Sequence, residues 1–142
     1  MLTNDSLADT LAPLGDAMMI PKAAMLFDVG ELCSGVYIIR SGSVDLLLLN
    51  AANMPIWSCC VSTGGVLGLP AAVGMKQYSL RAVAHDNAEL VFVPATTIQS
   101  VIRNDPNVGF QVLRAMSDEV ATLRKKVAMF DTGKPDRFTE LS

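Results

Sequence analysis

The chain has 142 residues, of which 51% are hydrophobic, with 11 Lys and Arg against 14 Asp and Glu for a formal net charge of −3. That length suits one domain with a core of its own, and the acidic balance argues against broad nucleic-acid binding, which relies on basic surface to release counterions. No apolar run approaches the roughly 20 residues of a membrane span, and residues 6–14 lack the basic start and long apolar stretch of a signal peptide, so the expected location is the cytoplasm.

Residues 5–14 read as a short amphipathic helix, with Asp5 or Ser6 as cap, Leu7 and Leu11 on one face and Pro13 near the end. From Ala17 to Val93 the pattern changes to short apolar runs broken by glycine, asparagine and proline. The runs Ala17–Ile20, Met25–Phe27, Val36–Arg40, Val44–Leu49, Ile56–Val61, Ser79–Ala84 and Glu89–Val93 have strand length. A spacing of about 8–12 residues suits a sandwich or barrel. Cys33, Cys59 and Cys60 are odd in number and have no CxxC spacing, which indicates neither a disulfide framework nor a zinc site. Buried free thiols are expected.

The stretch from Gly64 to Ala84 carries the strongest functional signal. Gly64, Gly65 and Gly68 suit a backbone that bends tightly or comes close to something. Pro70, then Ala71, Ala72 and Val73, then Gly74 punctuate a one-turn helix. The free N–H groups at its start could face an anion; a solvent loop joining two strands is the plainer reading.

After Pro94 the chain turns helical. Ala95 to Arg103 forms one helix, ending at Asn104-Asp105-Pro106, and a second runs from there to about Phe130. Leu113, Met116, Val120, Leu123, Val127 and Phe130 are spaced three, four, three, four and three, an a/d seam of period 3.5. In that register Glu119 falls at g and Arg124 at the following e, so a parallel partner would bring the two together. A homodimer through this helix is expected, against the alternative that the seam packs on the chain's own sheets. Residues 131–142 are polar and read as a frayed tail.

Taken together, an antiparallel barrel around a glycine-bounded short helix, with a helix before it and a long one after, resembles the cyclic nucleotide-binding domain. The resemblance spans roughly residues 7–127. It is carried by Gly30-Glu31, by the hairpin Gly35-Val36-Tyr37-Ile38-Ile39-Arg40-Ser41-Gly42-Ser43-Val44, by the glycine turn Gly64 to Gly68, and by the run from Val93-Pro94-Ala95 to Asp105-Pro106. It implies a mainly β fold with flanking helices, in which an antiparallel double-stranded β-helix (a jelly-roll barrel, about 17–93) is followed by C-terminal helices over about 95–130. Residues 1–130 then form one sensor domain that acts by binding a ligand or a protein partner and not by catalysis.

The resemblance also shows where this chain departs. In the family a glutamate directly after the last cassette glycine holds the ribose 2′-hydroxyl, and an arginine at the start of the last cassette segment pairs with the cyclic phosphate. Here those positions hold Leu69 and Tyr78. Ser79 matches a small hydroxyl or alanine position, and Pro70 removes one N–H from the helix start. A charge-assisted hydrogen bond contributes roughly 1.5–3 kcal/mol, so losing the arginine alone weakens binding about 10- to 150-fold. Weak or no binding of cyclic AMP and cyclic GMP is therefore expected. The candidate pocket is Gly68, Leu69, Ala71, Ala72, Tyr78, Ser79 and Arg81. The alternative is a working receptor with Arg81 as phosphate partner, on the same strand face as Ser79; otherwise Arg81 points outward. Tyr78 could stack on a ring or offer its hydroxyl to a neutral ligand; the plainer reading is an aromatic lid over the core.

Little else in the chain carries chemistry. His85 is the only histidine and sits in an apparent turn beside Asp86 and Asn87. One histidine does not make the metal cluster that a cupin-like enzyme, the third and weakest reading, would need. No GxSxG or Walker loop is present, and Asp28 and Glu31 read as solvated charges in a turn. No metal, cofactor or catalytic residue is expected. The dozen residues after Phe130 are too few for a helix-turn-helix module, so no DNA-binding module is expected either.

Overall fold

The computed structural model describes residues 5–74 and 76–117. Helix α1 (Asp5–Leu11) and a 3₁₀ turn (Ala12–Leu14) lead into strand β1 (Asp16–Ile20). Leu7, Ala8 and Leu11 recur on one helical face, and all three are buried. Strands β2 (Met25–Phe27), β3 (Gly35–Ser41), β4 (Val44–Leu49), β5 (Pro55–Val61) and β6 (Val66–Leu67) follow, then the short helix α2 (Leu69–Gly74). Strands β7 (Arg81–Ala84) and β8 (Ala88–Pro94) complete the sheets, and helix α3 (Ala95–Asn104) leaves them. Residues 106–117 are also helical.

The strands form two four-stranded antiparallel sheets, in the orders β1-β8-β3-β6 and β2-β7-β4-β5. In the second sheet β4 is central: Asp45 lies opposite Cys60 of β5 and Val83 of β7. Alternation sets the two faces. Val44, Leu46, Trp57, Val61, Ala82 and Ala84 are buried in one core, while Ser58 and Cys60 of the same sheet are exposed. Strand β3 is buried on both faces, since Val36, Ile38 and Ile39 are all inaccessible. Helices α1 and α3 account for its second covered face, because both pack against it.

Three sequence-based expectations need revision. Val66 and Leu67 are a strand paired with Ile38 and Tyr37 of β3, not part of an open glycine turn. Two residues flanked by glycine are too short to show a period. Ser79 lies in a bend ahead of β7, which begins only at Arg81, so the two do not share a strand face. Of the three thiols only Cys33 is buried; Cys59 is half-buried and Cys60 exposed. The helix over residues 106–117 buries Val108 and Val112, four apart, and turns Phe110 and Leu113 outward at 72% and 62% exposure. The expected continuation to Phe130 lies outside the described residues, with Val120, Leu123 and Val127, the pair Glu119 and Arg124, and the 131–142 tail. Among the described residues no helix is long and apolar enough to cross a membrane.

Candidate functional site

The cassette is built outward from β6. Pairing with β3 carries the chain to Gly68, whose φ of +91° is a conformation that glycine adopts without strain. A side chain there would stand 3.0 Å from the Tyr78 ring and 3.2 Å from the Gly35 carbonyl oxygen. Helix α2 starts at once: the Ala72 N–H donates to the Gly68 carbonyl at 3.0 Å. At the other end the Gln99 side chain, from α3, donates to the Ala72 and Val73 carbonyls at 3.1 and 3.3 Å. Two carbonyls that a helix end leaves without partners are thereby satisfied. Leu69, Ala71 and Ala72 are buried, Leu69 to 1% exposure, and Pro70 is exposed.

Beyond α2 the chain runs back along residues 30–33. The Cys33 N–H donates to Lys76 (3.0 Å), the Tyr78 N–H to Glu31 (2.9 Å), and the Gly30 N–H to Tyr78 (2.9 Å). These bonds drive the Tyr78 side chain inward, to 4% exposure. Its ring stacks on Phe27 with centroids 3.9 Å apart and planes inclined by 15°. Its hydroxyl donates to the Gly35 carbonyl at 2.7 Å and accepts from the Gly35 N–H at 3.3 Å. Burial pushes the phenol up to about 12, so it stays neutral at physiological pH.

Arg81 is engaged elsewhere. Its Nε donates to Asp28 Oδ1 at 2.8 Å and its Nη2 to Asp28 Oδ2 at 3.2 Å. Both side chains are partly sheltered, at 22% and 28% exposure. Arg81 holds the Asp28 carboxyl below its ordinary range, helped by the Val29 N–H, and Asp28 in turn raises the guanidinium. Asp28 is thus an ion-pair partner and not the solvated charge its turn suggested. Neither Asp28 nor Gln99 was legible as part of the site, because only the β2–β7 register and the α2–α3 packing bring them there.

The structure therefore brings Gly68 and Tyr78 together, with Phe27 and Gly35 as their partners. Leu69, Ala71 and Ala72 line the same short helix. It leaves Ser79 exposed at the bend and directs Arg81 to Asp28.

With this geometry in view the comparisons with known proteins are specific. The family model for the cyclic nucleotide-binding domain matches residues 18–105. The chain belongs to this family. Among solved structures, this cyclic nucleotide-binding domain is similar to the catabolite activator protein of Thermus thermophilus, with a TM-score of 0.75 and 17% identity over 89% of the chain and 60% of that protein. A transcriptional regulator from Thermotoga maritima gives a TM-score of 0.71 and 13% identity, over 87% and 97% of the two chains. A structure from work on a cyclic-GMP-dependent signalling pathway in bacterial phytopathogenesis gives 0.69 and 19%, over 85% and 96%. At these identities the likeness concerns the fold. The domain spans 56–60% of the first three structures that it matches. Comparison with curated protein sequences gives no significant match.

Proposed function

We propose that this domain is a non-catalytic regulatory module whose cassette does not hold a cyclic nucleotide by the family's usual clamp, so that cyclic AMP and cyclic GMP bind weakly or not at all. The observation that carries the reading is Tyr78. At the position where the resemblance places the phosphate-binding arginine, a neutral aromatic ring lies stacked on Phe27, with its hydroxyl committed to Gly35. Leu69, at the position of the ribose-binding glutamate, is buried and apolar. The alternative receptor would need Arg81 to leave Asp28, giving up two charge-assisted hydrogen bonds. On this reading the two sheets are the halves of a jelly-roll barrel, and the module works in the cytoplasm through a protein partner or a non-standard ligand.

Calorimetric titration with cyclic AMP and cyclic GMP tests the proposal. No micromolar binding is expected from the wild type. Micromolar binding that disappears in Arg81→Ala would establish the receptor reading instead.

The same module is proposed to form a homodimer through the helix that begins at residue 106. Phe110 and Leu113 are more than half exposed on it, beside an apolar groove of about 270 Å³ lined by Val73, Ile102, Pro106 and Met116. Leu113 and Met116 are the first two positions of the seam seen in the sequence, and a second copy of the helix would cover them.

A further inference from the structure

On the outer face of the β2-β7-β4-β5 sheet, away from the cassette, Asp45, Cys60 and His85 converge. Each offers one ligand atom, and the three atoms lie within 4.8 Å of one another. We propose that these residues form a binding site for a borderline-soft divalent transition metal of the zinc class, with one coordination position left to water or an external ligand.

The site is assembled by strand register. Asp45 lies on the central strand β4, directly opposite Cys60 on β5, and such cross-strand neighbours have Cβ atoms about 4.5–5.5 Å apart. On the other side of Asp45 runs β7, with Val83 as its partner and Ala84 opposite Val44. His85 is the next residue, and its backbone is pinned: its N–H donates to the Ser43 carbonyl at 3.0 Å. The following residue is tied down too, since Ser43 Oγ donates to Asp86 Oδ2 at 2.8 Å. Two donors thus come from paired strands and the third from the first residue of the turn after β7, where backbone bonds to Ser43 fix its place. A preorganised donor set of this kind is what a metal site requires.

The donor chemistry selects the metal. An imidazole nitrogen, a thiolate and one carboxylate oxygen suit zinc and its neighbours, whereas magnesium and calcium prefer oxygen throughout. Bonds of about 2.0–2.3 Å in tetrahedral geometry place ligand atoms about 3.3–3.6 Å apart, so small side-chain rotations bring the present separations, which lie within 4.8 Å, to that spacing. His85 Nδ1 now lies 2.9 Å from Asp45 Oδ2, and a metal entering between them displaces the proton they share. Charge favours a dication: once bound, Cys60 has given up its thiol proton to solvent and ligates as a thiolate beside the Asp45 carboxylate, and Asp86 adds to the field at His85, opposed by Lys22. His85 and Asp45 are 55% and 30% exposed and Cys60 is open to solvent, so the metal has access from bulk water. Three protein ligands and an open position is the arrangement that keeps a zinc ion available to a further ligand.

The test is zinc titration of the reduced protein by calorimetry, with cobalt(II) as the spectroscopic probe. The expected results are one zinc per chain, affinity reduced more than the roughly 10–100-fold typical of losing an outer partner in both Cys60→Ser and His85→Gln, and a thiolate-to-cobalt charge-transfer band that vanishes in Cys60→Ser but survives in Cys59→Ser. Both Cys60 and His85 are exposed, so their replacement leaves the core intact. Failure to bind zinc, unchanged affinity in the two variants, or a cobalt spectrum without the thiolate band would each overturn the proposal. None of these outcomes bears on the cassette, which the nucleotide titration tests separately.

Discussion

Arg81 and Asp28 meet in a two-point ion pair, Nε to Oδ1 at 2.8 Å and Nη2 to Oδ2 at 3.2 Å, joining β7 to the turn after β2. A guanidinium engaged in this way is held by its own chain. The pair therefore ties a structural contact to a functional question: the carboxylate that engages Arg81 also joins β7 to the turn after β2.

Its pH dependence follows from the sign of the shift. Asp28 is lowered in the folded protein, chiefly by the hydrogen bond from Arg81. A carboxyl of this kind stabilises the fold above its unfolded value of about 3.9, and the contribution disappears as the pH falls through the lowered folded value. Asp28→Asn should thus be less stable than wild type in urea at neutral pH, with the difference shrinking below about pH 4. A difference that grows on acidification would contradict the assignment.

Tyr78 makes a sharper case, because its hydroxyl is buried. It both donates to and accepts from the backbone of Gly35. Tyr78→Phe keeps the stack on Phe27 but removes both bonds to Gly35, leaving its carbonyl only the weak Cys33 thiol donor at 3.5 Å, so a loss of about 1–3 kcal/mol is expected. Tyr78→Ala also removes the ring and should cost about 3–5 kcal/mol. Denaturant midpoints at constant m-value measure both. If Tyr78→Phe proves neutral, the hydroxyl does not anchor the cassette.

How much of this was legible follows from the range of each signal. Pro70 and Gly74 marked α2 to within one residue at each end, because helix punctuation is local. Ser79 did not, because Ser79 to Ala84 alternates smoothly and nothing nearby shows that residues 76–78 follow residues 30–33 instead. Cys59 and Cys60 are instructive, since adjacent strand residues face opposite ways, and the exposure of one was implicit in the strand assignment. The partners of Arg81 and His85 lie 53 and 40 residues away in sequence. Only sheet register brings them together, and a single sequence does not encode that register in any readable period.

Gln99 couples the cassette to the helices that follow. Its amide bonds the last carbonyls of α2, at Ala72 and Val73, and the two helices pack against each other. Gln99→Ala removes both bonds at a cost of about 1 kcal/mol. The effect should be local: amides of α2 should exchange with solvent faster, while protection in β3 and β8 changes only with the global stability. Uniform loss of protection across the domain would show that α2 opens only when the whole fold does.

The dimer is open to an equally direct test. Leu113 is 62% exposed, whereas its neighbour Val112 is buried at 2%. A charge at Leu113 therefore leaves the monomer's packing untouched and falls only on the seam. Leu113→Glu should shift sedimentation from dimer to monomer with an unchanged denaturant midpoint for the isolated fold, because a carboxylate at a seam position faces its own copy across the interface. The comparison must hold protein concentration fixed, since association stabilises by mass action. A wild-type protein that stays monomeric at tens of micromolar, or a Leu113→Glu variant that stays dimeric, would place any self-association on another surface.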